Sequence, residues 1–400
     1  MTPETPLRYF AFVRGPGAIG ELDGLRALAI LLVLARHAVR PFFSIATPLL
    51  PLGGWDAAIP LINGWMGVDL FFVLSGFLIA TQICNRYGGI VDRVSFGDYM
   101  KRRILCIIPT YYFMLFIAAM GLIPLYHVAG DYLGFRVVYH MLFLQDYLPS
   151  NIIVAFWSLG VEEKFYILAP FVLAAVFRIR QPGAQYMLLG ALALLPMGLR
   201  ALTALRHPEI TAYVPYFQTF RSPFHLSFDG LVVGSLCALI YRDRMRLAWT
   251  GNSALAHMIF WVGAGLALWL SAFSVQLAHI GLFQKIPLQS LLALAMGGML
   301  LGLVLGGGPR AFFRAGWMLV VARLSYALYL VHLTVLPEAE HLMKLMTDGA
   351  AYSPGQQFLI FAPIFMALSF AAALLLHYGV EKPFLLLKDQ LPARHLRAIA

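Results

Sequence analysis

Apolar runs long enough to cross a bilayer recur along nearly the whole chain, near residues 25–45, 65–83, 104–123, 152–177, 185–204, 224–241, 254–273, 286–305, 316–337 and 356–378. An α-helix needs roughly 20 such residues to traverse a hydrocarbon core. The pattern therefore predicts an all-α fold, a polytopic transmembrane bundle of about ten spans. A further segment, 132–148, is apolar and aromatic but interrupted by Gly134 and Asp146, and reads as interfacial or re-entrant. No long Gly/Ser linker or charge block separates a soluble domain. The expected organisation is a polar tail over residues 1–20, one transmembrane domain over 21–384 and a tail over 385–400.

Composition agrees with this reading. Of 400 residues, 60% are hydrophobic and 12% charged, and the mean hydropathy is +0.78, far more apolar than a soluble domain. The net charge of +10 is explained by topology. With the N-terminus cytoplasmic, 18 Lys and Arg fall on that side, among them Arg14, Lys101, Arg102, Arg103, Arg310, Lys382 and Lys388. The other side has 7: Arg40, Arg136, Arg200, Arg206, Arg221, Lys285 and Lys344. This bias satisfies the positive-inside rule, and an even number of spans puts both termini in the cytoplasm. The first 20 residues lack the apolar core of a cleavable signal. Cys84, Cys106 and Cys237 have no metal-ligand spacing and suggest no disulfide framework. Neither a phosphate-cradling Gly-rich loop nor a basic-aromatic nucleic-acid surface is present, so nucleic acid is not an expected partner.

The chemistry is in the polar residues placed within apolar runs. In ELDGLRALAILLVLARH, Arg26 and His37 are about 16 Å apart along a helix, which puts His37 well inside the bilayer. Ionisable groups there are costly and mark a functional site unless packing explains them. WMGVDLFFVLSGFLIA contains Asp69, which is either an interfacial N-cap or a site carboxylate, and Ser75, which serves either packing or chemistry. FWSLGVEEKFYILAP has Glu162, Glu163 and Lys164 in mid-span. Neighbouring helical positions differ by about 100°, so the two glutamates cannot face the same way. One is expected to reach a wet cavity, substrate or His37, and the other to pair with Lys164 or a neighbouring helix. RLSYALYLVHL sets Tyr329 and His332 on one face, as cavity wall or interfacial residues. Lys101, Arg102 and Arg103 stand at the expected cytoplasmic mouth. They serve either topology or the binding of phosphate groups.

Taken together, ELDGLRALAILLVLARH, GVDLFFVLSGFLIA, KRRILCIIP, FWSLGVEEKFYILAP, RLSYALYLVHL and VEKPF resemble the membrane-bound acyltransferase-3 family, in order, over residues 21–384. The resemblance implies an acyl-CoA-dependent O-acyltransferase acting on hydroxyls of surface polysaccharide, lipopolysaccharide or lipid-linked glycans, with some members modifying small molecules. Acyl-CoA, by default acetyl-CoA, would be a co-substrate, with no tightly bound cofactor and no metal. The family's arginine and histidine fall on Arg26 and His37, its glutamates on Glu162 and Glu163, and its basic motif on Arg102 and Arg103. Cys106 and Ser227, the latter ahead of Asp229, stand where many members have arginine. Asp229 is a further candidate for the cavity.

On this reading His37 is the general base, Glu162 or Glu163 orients it or binds sugar, and Arg26, Arg102 and Arg103 hold the CoA phosphates. Asp69, Ser75, Tyr329, His332 and Asp229 are candidates for the acceptor cavity. The expected location is a bacterial inner or plasma membrane. A transporter or flippase for a glycan or acylated compound is the alternative, although no internal symmetry supports it.

Overall fold

A computed structural model describes residues 9–14, 17–44, 47–87, 92–274, 280–347 and 352–391. Arg8, Arg394 and Arg397, counted above with the basic side, lie outside the described residues, as do half of the predicted N-terminal tail and most of the C-terminal one. Among the described residues, each of the ten apolar runs forms a helix. These are α1 (Gly20–Val39), α2 (Gly67–Tyr87), α3 (Arg93–Ala119), α4 (Trp157–Phe177), α5 (Pro182–Arg206), α6 (Asp229–Arg242), α7 (Ser253–Trp269), α8 (Leu288–Val304), α9 (Gly316–Val331) and α10 (Pro354–Leu376). The described β-structure is one hairpin, β1 (Pro51–Leu52) with β2 (Trp55–Asp56). Its turn is held by Asp56, which accepts from the backbone N–H groups of Leu49, Leu50 and Ala58 at 2.9 Å each.

The helix ends differ from the hydropathy pattern for local reasons. α1 stops at Val39, short of the predicted 45, because Pro41 restricts the residue before it and cannot continue the hydrogen-bond ladder. α3 begins a full three turns early, where the Asp92 side chain accepts from Ser95 N at 2.6 Å and caps a charged first segment. The run 316–337 divides into α9 and a second helix, Leu336–Thr347, bent by 88° with Pro337 at its start. Within 132–148 the chain makes a nine-residue helix, Leu133–Met141, too short to cross a bilayer, followed by a loop.

By length and apolar composition, five helices qualify as membrane spans, or six if the bent pair counts as one. α1 and α4 have the length but carry charge: Glu21, Asp23, Arg26 and Arg36 in one, Glu162, Glu163 and Lys164 in the other. α6 has 14 residues and α8 has 17.

The helix containing α2 is central, with 67% of its apolar window buried, against 28–33% for the four other qualifying spans. Small residues let it sit directly against α6. A Cβ on Gly76 would meet Leu231 O at 1.9 Å, and one on Gly234 would meet Val73 O at 2.0 Å. Such backbone contact supplies the packing that a hydrophobic effect cannot supply between helices in lipid.

At the N-terminal end of α1 the two described ends of the chain meet. Tyr9 donates to Tyr378 O (2.9 Å), Tyr378 donates to Phe10 O (2.8 Å), and Lys382 donates to Tyr9 O. Arg14 pairs with Asp23 (2.9 Å), and Arg310 with Glu21 (2.6 Å). Arg102 donates to Asp98 and to the carbonyls of Lys388 and Leu391 in the C-terminal segment. Many of the basic residues assigned to one side of the membrane are thus gathered at one end of the bundle.

Gly76→Ala is expected to force α2 and α6 apart and cost about 1–3 kcal/mol. Gly190→Ala, in α5 with nothing within 4 Å of its added Cβ, should instead be neutral or gain up to about 1 kcal/mol from helix propensity. Thermal unfolding of both variants in detergent compares the two signs directly.

Candidate active site

The opposite end of α1 borders a cavity of about 610 Å³. Its wall combines the last turn of α1, the segment around Trp65, the loop 146–157, the segment 213–222 and the end of α9. Arg36 and His37 reach it from α1, and Tyr329 and His332 from α9. The sequence pattern placed His37 at mid-depth. In the structure it occupies the final turn of α1, because the helix ends two residues later.

The two histidines face each other, with ring centroids 5.0 Å apart. His332 Nδ1 lies 2.8 Å from Tyr329 O and 3.1 Å from Leu328 O. A carbonyl only accepts, so Nδ1 carries the proton and Nε2 presents its lone pair. That Nε2 is buried and has no hydrogen-bond partner among the described residues. The Tyr329 hydroxyl donates to Ala155 O (2.8 Å), which leaves Ser158 Oγ, 2.6 Å away, to donate to Tyr329.

The remaining walls are built from satisfied charges. Arg221 forms a two-pronged pair with Asp69, at 2.7 and 2.8 Å. Its guanidinium lies 5.1 Å from the Trp65 ring and 5.2 Å from the Trp157 ring. Lys164 donates to Asp146 (2.6 Å) and to the carbonyl of Phe143 (2.5 Å). Asp146 in turn accepts from Ser222 Oγ through its carbonyl (2.7 Å) and from Phe224 N through its carboxylate (3.2 Å). These bonds pin the cavity loop to α4 and to the 213–228 segment.

A second polar cluster lies one turn further along α4, towards the other end of the bundle. Glu162 accepts from Ser75 (2.8 Å) and Tyr166 (2.9 Å). Arg103 sits over the Tyr99 and Tyr166 rings at 5.7 and 5.6 Å and donates to Gln82. Arg26 lies within electrostatic reach of Asp23, Arg323, Tyr166 and Glu381. Ser158 and Glu162 are four residues apart on α4, so this cluster adjoins the Tyr329 end of the cavity.

With this geometry in place, comparison with known proteins is informative. The family model described as an acyltransferase domain, the third such family, matches residues 19–378. The chain belongs to the acyltransferase-3 family. The Bacillus subtilis (strain 168) protein YrhL, provisionally named a peptidoglycan O-acetyltransferase, is 31% identical over 180 residues, covering 42% of this chain and 25% of YrhL. The O-acetyltransferase OatA of Staphylococcus aureus (strain NCTC 8325 / PS 47) is 24% identical, covering 46% of this chain and 29% of that protein. The peptidoglycan O-acetyltransferase OatA of Listeria monocytogenes (serovar 1/2a) is 27% identical, covering 41% and 26% respectively. The matches thus span about a quarter of the length of these relatives. No solved structure matches the chain.

The acyltransferase-3 fold divides the residues singled out from the sequence. His37, Tyr329 and His332 meet at the cavity. Glu162, Ser75, Arg26 and Arg103 belong to the second cluster, and Glu162 hydrogen-bonds Ser75 and Tyr166 rather than His37. Glu163 turns elsewhere, within electrostatic reach of Arg103, Lys164 and Tyr111. Lys164 pairs with Asp146 and not with a glutamate, because the cavity loop brings that carboxylate to the other face of α4. Asp69 is neither an interfacial cap nor a free carboxylate: it is buried against Arg221. Asp229 is held away from the cavity by Arg200 (3.0 Å) and Ser290 (2.9 Å). Arg102 does not stand beside Arg103 but turns to the C-terminal segment.

Sequence reasoning missed Arg36 and Arg221. Arg36 was legible as the neighbour of His37 in the same helical turn. Arg221 looked like an outer-loop charge, and its partner Asp69 is 152 positions away.

Asp69→Asn leaves the buried Arg221 charge without its carboxylate and is expected to cost about 3–5 kcal/mol. Adding Arg221→Gln to Asp69→Asn should recover part of that loss. Unfolding midpoints of the single and double variants in detergent measure the coupling.

Proposed function

We propose that this protein is an integral membrane O-acyltransferase. It moves an acyl group, by default acetyl, from cytoplasmic acyl-CoA to a hydroxyl of a carbohydrate such as a surface polysaccharide, lipopolysaccharide or lipid-linked glycan. The observation that carries the reading is the cavity lined by His37 and His332, whose ring centroids lie 5.0 Å apart, in a chain belonging to an acyltransferase family. The names of the relatives, which are O-acetyltransferases of peptidoglycan or of unstated acceptor, favour acetyl and a glycan.

All ten helices cross a bacterial inner or plasma membrane in this reading, with both termini cytoplasmic. The meeting of the two described chain ends supports an even number of crossings, and the basic residues gathered there support that end as the inner one. α1 and α4 cross despite their charges because those charges are turned into the bundle. The His37 cavity then opens towards the outer face, where a glycan acceptor approaches. Arg26 and Arg103 lie on the inner side of it, in position to receive the CoA phosphates. Arg102, committed to Asp98 and the C-terminal carbonyls, contributes by shaping the mouth.

Catalysis follows from the residues present. His37 removes the proton from the acceptor hydroxyl as its oxygen attacks the thioester carbonyl. The tetrahedral centre collapses with cleavage of the C–S bond, and the imidazolium returns the proton to the departing thiolate. The products are an ester and free CoA thiol. Glu162 acts one turn below, holding Ser75 and Tyr166 at the junction between the donor and acceptor regions, and Glu163 lies within electrostatic reach of Arg103.

His37→Ala should lower transfer by roughly 10²- to 10⁴-fold, the range of a general base, while the protein stays inserted and monodisperse. Purified wild type and variant in nanodiscs, supplied with acetyl-CoA and a glycan-rich extract, are compared by free-thiol release and by the acetyl mass on the product. Normal turnover by the variant would remove His37 from the mechanism.

A further inference from the structure

Among the described residues, one cation that lines the cavity has no carboxylate partner. Arg36 is 7% exposed and lines the cavity beside His37. It donates to Ile62 O at 2.7 Å and to the Tyr213 hydroxyl at 3.2 Å, and the Tyr213 ring lies 5.7 Å from its guanidinium. Among the described residues no carboxylate stands within ion-pair distance of it. The other guanidinium that lines the cavity, Arg221, is matched by Asp69, and nearby Lys164 by Asp146 and Arg200 by Asp229; Arg136 and Lys285 are also buried and held by neutral acceptors, but they do not line the cavity.

A guanidinium has five N–H donors in a rigid fork, and the two bonds to Ile62 and Tyr213 leave others for the cavity. Buried charge persists when it is paired or hydrogen-bonded. A cation held in place by neutral acceptors, at the edge of a space large enough for a small molecule, is suited to a ligand that brings the negative charge. The adjoining walls are aromatic, from Trp65, Trp157, Tyr213 and Phe217, and offer flat apolar faces to a sugar ring.

We propose that the acceptor is an anionic carbohydrate, a sugar bearing a carboxylate or phosphate, whose charge is bound by Arg36 while its reacting hydroxyl is presented to His37. This rests on the cavity being the acceptor site, as argued above. Arg36 and His37 are successive residues on one helical turn and both line the same 610 Å³ space, so one sugar unit spans both.

Binding is measured without any acyl transfer, which keeps this proposal separable from the enzyme reading. Wild-type protein in phosphatidylcholine nanodiscs is titrated with glucuronate, glucose 6-phosphate and glucose, read by ligand-observed NMR and by quenching of intrinsic tryptophan fluorescence. At least one anionic sugar should bind roughly 10-fold or more tightly than glucose, the scale of a charge-assisted hydrogen bond. Arg36→Gln should abolish that preference, and Arg36→Lys, which keeps the charge but loses the fork, should retain part of it. Whichever of the two anions is preferred identifies the carboxylate or the phosphate as the recognised group. Equal binding of all three sugars by wild type, no binding of any, or an undiminished preference in a folded Arg36→Gln would overturn the proposal. The wild-type comparison decides even if that variant fails to fold. Anion binding without acyl transfer would leave Arg36 as the site of an anionic sugar and count against the enzyme reading, and with it against that sugar's being an acyl acceptor.

Discussion

A guanidinium placed between two indole rings inside an apolar bundle must find an anion close by, and Asp69 is that anion for Arg221. The requirement organises much of this end of the molecule. Asp69 is in the first turn of α2, the central helix, and Arg221 is in the irregular segment between α5 and α6. Their two-pronged bond joins this central helix to the segment of short helices between α5 and α6. Trp65 and Trp157 are fixed on either side, and Trp157 opens α4, the helix that bears Ser158, Glu162 and Lys164. The walls of the cavity thus follow from where one charge is neutralised.

Charge is handled differently at the two ends. Around the cavity, the cations Arg221 and Lys164 are locked to carboxylates, while Arg36 is held by neutral oxygens and lines the space beside His37 and His332. Around Glu162 the arginines Arg26 and Arg103 share aromatic rings and a buried carboxylate in a tighter setting. Ser158 and Tyr329 stand where the two regions adjoin. Hydrogen bonds among Ser158, Tyr329 and the Ala155 carbonyl thus connect the cavity wall to the helix that bears Glu162.

Much of the helical layout was legible because the period and length of apolar runs are properties of single segments. All ten runs became helices; Asp92 accounts for the largest end error, at α3, and Pro41 and Pro337 for those of α1 and α9, while α4 and α6 each begin five residues after their runs. His37, Tyr329 and His332 were legible as polar residues that lipid does not tolerate. Their meeting was not legible, since 295 positions of sequence separate His37 from His332. The same limit hid the partners of Asp69, Asp229 and Lys164: a carboxylate in an apolar run announces that it needs a cation, without saying which. Arg36 was hidden for a different reason, being overshadowed by the histidine that follows it.

The knot formed by Tyr9, Phe10, Tyr378 and Lys382 links the first described residues to nearly the last. α1 leaves the ribosome early, yet the groups that enclose its polar side chains arrive with α9 and α10. Until then Arg26 and His37 lie in a half-built bundle, without Glu381 or His332 beside them. Assembly of this protein therefore finishes where it began, and a nascent chain cannot acquire its working interior piecemeal. His37 and His332 can come together only after α9 has been made and packed against α1.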